Sequence, residues 1–259
     1  MAVEPRLLVS LRDGVKRITF NAPERRNAVD RATTERLLEV VRETATDESK
    51  VVVLSGSGDS FCAGADLRAA KPGEGDVTEY LRRFVNPTIL ALREMPKPVI
   101  ARVHGHAVGI GCNYALAADI RIASTEAKFG QVFSKIGLIP DGGSTYFLPR
   151  MIGYAKAFEW MANASIIDAH EAAALGIVNS VVPVAELDAA VDDWCRRLGS
   201  MATLAIAGIK RALSYGESHT LAEALECEAV TQKTCFDSAD FREGVAAFRE
   251  KRKAVFQGK

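Results

Sequence analysis

Two short segments of this chain set small residues where strands end and helices begin: Ser60-Phe61-Cys62-Ala63-Gly64-Ala65-Asp66-Leu67 and Gly105-His106-Ala107-Val108-Gly109-Ile110-Gly111-Cys112-Asn113. Glycine and alanine let a backbone come close to a ligand, and N–H groups at a helix start have no intrahelical partner. Two such N–H groups converging on one point form an oxyanion hole, which stabilises the negative oxygen of an enolate. Either segment taken alone is explained by glycines that permit tight turns or close helix packing.

Other chemistry-bearing residues read more simply. His104 and His106 flank Gly105, but an HxH without a carboxylate cluster is weak metal-site evidence, and a packing or loop-fixing role is expected. Cys62 and Cys112 have no paired histidine nearby in sequence and read as small core residues. The five cysteines are odd in number and lack CxxC spacing, which argues against a disulfide framework or a zinc cluster and for a reducing, cytoplasmic setting. Thirty-three basic residues balance thirty-three acidic ones, leaving no electrostatic reason to seek nucleic acid or an anionic membrane. The Arg25–Arg26 pair still suits a small anionic ligand. No apolar run is long enough for a signal peptide or a membrane span.

The elements that would position these segments follow from periodicity. Leu7–Leu11 and Val15–Phe20 alternate around Asp13-Gly14 and predict a β-hairpin. Residues 33–46 carry helical spacing, 51–54 a buried strand, and 79–94 an amphipathic helix ended by Pro96 and Pro98. The charged, Pro- and Gly-bearing stretch 69–76 reads as a mobile surface segment. Val99–Val103 and Ile120–Ala123 are strands on either side of a small-residue buried helix, 109–118. Helices at 144–151, 155–163, 168–174, 186–199, 202–215, 220–235 and 239–253 fill the rest. The alternation predicts an α/β fold with a C-terminal helical layer. No GxGxxG opens a helix after the first strand, which excludes a doubly wound nucleotide fold.

The stretches FCAGADL, KPVIARVHGHAVGIGCN, AADIRIAS, AKFGQ, GLIPDGGST and LGIVNSVVP together resemble the crotonase family of enoyl-CoA hydratases and isomerases, over roughly residues 10 to 257. The resemblance implies a spiral of ββα units followed by helices that mediate trimer contacts. On that basis residues 1–195 form the acyl-CoA-binding core and 196–259 the C-terminal helical region, assembled as a homotrimer or a dimer of trimers. It also implies an acyl-CoA thioester substrate, with coenzyme A carried by the substrate and no separate cofactor or metal. The two polarising amides become those of Ala65 and Ile110. Substrate contacts are expected from Ala63, Ala65, Asp66, Leu67, Arg68, Ile110, Asn113 and Phe133, the backbone of 65–68 lining pantetheine and adenine while Asp66 fixes the loop. Asp119 matches a position common in the family and reads as structural.

The chain departs from the family's hydratases at their two glutamates. Asn113 and Phe133 stand at those positions, and neither can relay a proton. One carboxylate remains in place, Asp141 in Gly137-Leu138-Ile139-Pro140-Asp141-Gly142-Gly143, where several isomerases of the family carry an aspartate. The run VFSKIGLIPDGGSTYFLPRMIG and the C-terminal SADFREGVAAFREKR are most similar to members that isomerise aromatic ring-epoxide CoA thioesters in phenylacetate breakdown. A single carboxylate suffices to shift a double bond, and an apolar Phe133 would raise its pKa. The same Asp141 also fits a helix N-cap ahead of residue 144, and Asn113 fits either ligand orientation or helix packing.

Overall fold

The computed structural model describes residues 5–68 and 75–259. The segment expected to be mobile, 69–76, lies outside the described residues except for Gly75 and Asp76. The hairpin forms as expected: β1 (Leu7–Arg12) and β2 (Val15–Phe20) pair antiparallel across Asp13 and Gly14, both left-handed. Helix α1 (Arg31–Thr46) follows, its start capped by Asp30 accepting from the Thr33 N–H. Strand β3 (Val51–Gly56) lies parallel to β2, and α2 (Val77–Tyr80) runs through a π-helical turn, Leu81–Val85, into α3 (Asn86–Glu94). This is the helix expected over 79–94, broken in register. Pro87 has no N–H to give the preceding turn, and the Asn86 N–H reaches back to the Leu81 carbonyl instead.

From β4 (Val99–Val103) onward the chain alternates between two sheets. β5 (His106–Val108) joins a second sheet, α4 (Ile110–Ala117) follows, β6 (Ile120–Ser124) returns to the first sheet, and β7 (Lys128–Gly130) pairs with β5. Among the described residues the large sheet runs β1-β2-β3-β4-β6-β9 and the small one β5-β7-β8, where β8 is Ile166–Asp168 and β9 is Ser180–Val182. Bridges of Cys62 with Ala107 and of Val29 with Ala65 continue the small sheet's path through the earlier turns. Each turn thus leaves one segment in each layer, which is the expected ββα spiral. The three-residue strands were absent from the sequence reading, being too short for alternation to register.

Strand β3 shows how the layers are filled. Val52 and Leu54 enter one core with Leu37, Val41 and Leu116, while Val51 and Val53 enter another with Ile100, Ile122, Leu187 and Val191. The second core sits under α8 (Leu187–Gly199), so the expected division after residue 195 is corrected: it would cut α8, whose Cys195 still packs on the sheet. The break falls after that helix. Helices α5 (Ser144–Ile152), α6 (Tyr154–Asn163) and α7 (Ala169–Ala174) precede it, and α9 (Thr203–Gly216), α10 (Leu221–Phe236) and α11 (Ala239–Glu250) follow. No residue of α9 or α10 is buried. No helix of the described residues is long and apolar enough to cross a membrane.

Helix α4 is buried at all eight positions, as a helix apolar all round must be. Its Gly111 leaves no room for a side chain: a Cβ there would stand 2.2 Å from the Cys62 carbonyl oxygen. Gly111→Ala should therefore cost about 1–3 kcal/mol by overpacking. Urea unfolding checks this, and wild-type stability would show that α4 is not seated on the Cys62 loop.

Candidate active site

The two small-residue segments meet through their backbones. The Cys62 N–H donates to the His106 carbonyl at 2.8 Å and the Val108 N–H to the Cys62 carbonyl at 3.0 Å. Gly64 (φ +100°) lies so close that a Cβ would sit 2.9 Å from the Val108 oxygen, and one on Gly109 would sit 3.9 Å from the Gly64 Cα. Gly64 needs glycine for conformation and for space, and Gly109, at φ +56°, for conformation.

This contact sets two amides free. The Val29 N–H donates to the Gly64 carbonyl, and the Asp66 N–H to the Val29 carbonyl. Ala65 lies between those bonds, so its own N–H turns away from Val29 and toward the exposed side of the loop. Ile110 is the first residue of α4, where a helix leaves its N–H without an intrahelical acceptor. Neither amide donates to a backbone carbonyl among the loop and cap bonds of the described residues.

The loop carrying Ala65 is clamped from behind. Asn27, left-handed at φ 58°, accepts from the Ala22 N–H and donates to the carbonyls of Ser57 and Ser60. The Ala63 N–H donates to the Arg26 carbonyl at 2.9 Å. Asp66 is buried and accepts from Arg25 at 2.6 Å and from the Arg68 backbone at 3.1 Å, with Arg68 Nε at 3.3 Å. Burial raises its pKa, but the Arg25 bond and the Arg68 contacts outweigh that and hold the carboxyl below its usual range. Its oxygens are thus engaged within the loop, while Leu67 and Arg68 stand exposed.

Asp141 stands on a turn packed against α4. The Asn113 Nδ2 donates to its backbone carbonyl at 2.8 Å, as does the Ser144 hydroxyl at 3.1 Å. Gly142 presses against Ile110, leaving only 2.4 Å between a would-be Cβ and the Ile110 Cδ1. The carboxyl group itself receives no hydrogen bond from the described residues, and its Oδ1 is buried. Burial pushes its pKa up to about 6, opposed only by its own backbone N–H. The N-cap expectation for its side chain fails: Gly143, left-handed at φ 83°, is the cap residue of α5, and it is the Asp141 carbonyl that meets Ser144.

Phe133 is buried with its ring 3.9 Å from a would-be Cβ on Gly109, so it walls the glycine contact rather than offering a polar group. Asn113 is fully buried, and its two amide ends are spent on Asp141 and on Gln131, whose Nε2 donates to the Asn113 Oδ1 at 2.8 Å. The structure thus gathers Ala65, Ile110, Asn113, Phe133 and Asp141, and sets Asp66 and Arg68 behind the Ala65 loop. Sequence reading passed over Gln131, which stood inside the AKFGQ stretch with no role assigned.

The remaining candidates are structural by their contacts. His104 sits between Arg102, at 2.8 Å from Nδ1, and the Gly58 carbonyl, at 3.0 Å from Nε2; burial and Arg102 lower its pKa. It therefore works as a neutral ring that fixes a loop. Burial pushes the Cys62 and Cys112 thiols up to about 12, which disqualifies them as nucleophiles. Asp119 accepts from the Val99 N–H and from Lys210, both at 2.7 Å. Among the described residues no three His, Cys, Asp or Glu side chains are grouped to hold a metal ion.

One free backbone amide on a loop, a second at a helix start, and a desolvated carboxyl on the turn packed against that helix suit carbonyl polarisation with proton transfer. The chain matches the enoyl-CoA hydratase/isomerase family over residues 10–259. It is 39% identical to a probable enoyl-CoA hydratase of Rhodobacter capsulatus, over 95% of this chain and 96% of that protein. It is 37% identical to the 1,2-epoxyphenylacetyl-CoA isomerase of Escherichia coli, over 98% of both. A crystal structure of enoyl-CoA hydratase from Bacillus anthracis superposes with a TM-score of 0.93 at 30% identity, covering 98% of this chain and 100% of that one. The chain belongs to the enoyl-CoA hydratase/isomerase family, and it is an acyl-CoA enzyme.

The Asp141 carboxyl makes stability depend on pH. Its folded pKa of about 6 lies above the ordinary 3.8, so the stability of its neutral form is fully present below 3.8 and is lost as pH rises through about 6. Asp141→Asn mimics the neutral form. At pH 8 it should exceed wild type in unfolding free energy by up to about 3 kcal/mol, the difference vanishing on acidification. Equal stabilities at pH 8 would show the carboxyl to be hydrated.

Proposed function

We propose that this protein is an enoyl-CoA isomerase that moves a double bond through a thioester enolate. The N–H groups of Ala65 and Ile110 receive the thioester oxygen, and the backbone of Ala65 to Arg68 lines the pantetheine and adenine. Ionised Asp141 takes a proton from C2 of a 3-enoyl thioester, the amides hold the dienolate oxygen, and protonated Asp141 returns the proton at C4. The carboxylate is regenerated, and no water, metal or separate cofactor enters the balance.

The observation that carries this reading is the state of the carboxyl group: desolvated, unbonded, and unaccompanied by a second acid. A hydratase needs two groups to hold and split water, whereas Asn113 is committed to two hydrogen bonds and Phe133 offers an apolar ring. A proton shuttle works best with a pKa near the working pH, which burial of Asp141 favours. The Escherichia coli relative favours a second reading, isomerisation of a ring-epoxide aryl-CoA, with the same oxyanion amides holding the thioester.

Asp141→Asn should cut isomerisation of a 3-enoyl-CoA by about 10²-fold or more, while the affinity for the thioester stays similar. In wild type kcat/KM should fall as pH drops below about 6, because protonation removes the base. Crotonyl-CoA hydration should stay below the usual enzyme range of about 1–10³ per second. Undiminished isomerisation by Asp141→Asn, or fast hydration by wild type, removes this reading.

The assembly we propose is a homotrimer or a dimer of trimers, in the cytoplasm. Ile209, Leu213, Leu225 and Phe248 stand exposed on the C-terminal helices, around a groove of about 1060 Å³. Apolar surface of that extent calls for burial by a partner, and closed symmetric assembly supplies it. Light scattering at micromolar concentration should give a trimer mass or twice that, and a monodisperse monomer overturns the assembly.

A further inference from the structure

Gln131, directly after β7, is fully buried and takes no part in the proton transfer proposed above. Its Nε2 donates to Asn113 Oδ1, whereas its Oε1 is buried without a partner. The Asp141 carbonyl can only accept, so it draws the Asn113 Nδ2 and leaves the Asn113 oxygen facing inward, where Gln131 meets it with its Nε2. The outward Nδ2 then meets the Asp141 carbonyl at 2.8 Å. Were the Asn113 amide turned over, two oxygens would face each other across that gap. The chain from Gln131 through Asn113 to Asp141 therefore has a direction, set by the Asp141 carbonyl, and the buried glutamine is its inner end.

We infer that Gln131 is a positioning residue which, through Asn113, holds the Asp141 turn against α4 and keeps its carboxyl group at the oxyanion amides. This rests on Asp141 being the proton shuttle. The turn has little else to hold it there: Pro140 lacks an N–H, Gly142 and Gly143 are both left-handed, and the Asp141 carboxyl receives no bond from the described residues. The Ser144 hydroxyl bond stays within the turn, so Asn113 is the tie from that carbonyl to α4. The titratable groups that sense the Asp141 charge are the phenols of Tyr80 and Tyr114, and that charge opposes the ionisation of both. Neither donates to the Asp141 carboxyl group, so the amide chain is the polar hold on this turn from the helix side.

The test is a double-mutant cycle with Gln131→Met, which keeps the shape and removes the amide, and Asn113→Ala. On a 3-enoyl-CoA, Gln131→Met should lower kcat by about 10- to 100-fold through displacement of the base, with KM within about twofold of wild type. In the Asn113→Ala background the same change should do nothing further, because the two residues act in series. The Asp141 carboxyl, labelled with ¹³C and assigned by its loss in Asp141→Asn, should titrate at lower pH in Gln131→Met, since a loosened turn lets water reach it. A lower melting temperature with unchanged kcat and unchanged titration would make Gln131 a mere packing residue and overturn the inference. Additive losses in kcat would do the same. If Gln131→Met does not fold, Asn113→Ala carries the test, and unchanged kcat and titration there overturn it. The titration needs no turnover: a shift in a protein that isomerises nothing retains the positioning role and rejects the isomerase, whereas an Asp141-dependent isomerase indifferent to Gln131→Met does the reverse.

Discussion

The approach of Gly64 to the Val108 carbonyl brings two backbones to a separation that leaves no room for a side chain at Gly64, and the candidate site is built outward from it. Strands β3 and β4 lie parallel and in register, with Val52 opposite Val99 and Leu54 opposite Ala101. The loops leaving their ends therefore run side by side and exchange the bonds at Cys62, His106 and Val108. At this range a peptide N–H either bonds its neighbour or points into the cleft, and the bridge geometry settles which: Asp66 bonds Val29, and Ala65 points out. The second amide comes from the start of α4, where backbone geometry leaves an N–H without a partner and the helix dipole adds to its pull on negative charge. Placement of the amides is thus a property of main chain and glycine, insulated from side-chain motion.

Helix α4 couples the amides to the acid. Ile110 and Asn113 are three residues apart and so lie on one face. That face meets the Pro140–Gly143 turn, Ile110 through Gly142 and Asn113 through the Asp141 carbonyl. The distance from amide to carboxyl is consequently set by one turn of a buried helix and one short loop. The same arrangement desolvates Asp141, which pushes its pKa up to about 6 and costs stability whenever the group ionises.

Much of this was legible in the chain, and the limits have physical causes. The hairpin, α1, α4 and the C-terminal helices announce themselves by turn residues or by periodicity over eight residues or more. Strands β5, β7, β8 and β9 span three residues each, less than two repeats of the alternation, and their pairing depends on neighbours far away in sequence. The N-cap reading of Asp141 failed because two left-handed glycines turn the chain before α5 begins, passing the cap to Gly143. The small-residue motifs indicated which two loops meet, but the links from Gln131 to Asn113 and from Arg25 to Asp66 join residues 18 and 41 positions apart. Such pairings have no period and no local signature; only the folded layers bring them together.

The helical layer after α8 follows a different rule from the core. Its helices α9 and α10 bury no residue fully within the chain, so apolar packing holds them less firmly than the core elements. A polar latch does part of that work: Lys210 on α9 donates to the Asp119 carboxylate at 2.7 Å and to the Lys97 carbonyl at 3.0 Å. Burial alone would push this ammonium toward neutrality, and Asp119 opposes that shift. Asp119 in turn receives the Val99 N–H at the first residue of β4. The strand that delivers Gly105 to Gly109 to the site and the helix that presents the exposed apolar face are therefore fastened to one carboxylate. An ion pair of this kind fixes direction better than it adds stability, because desolvation consumes most of the Coulombic gain. Direction is what this latch supplies to a helix whose outer apolar residues, Ile209 and Leu213, stand exposed.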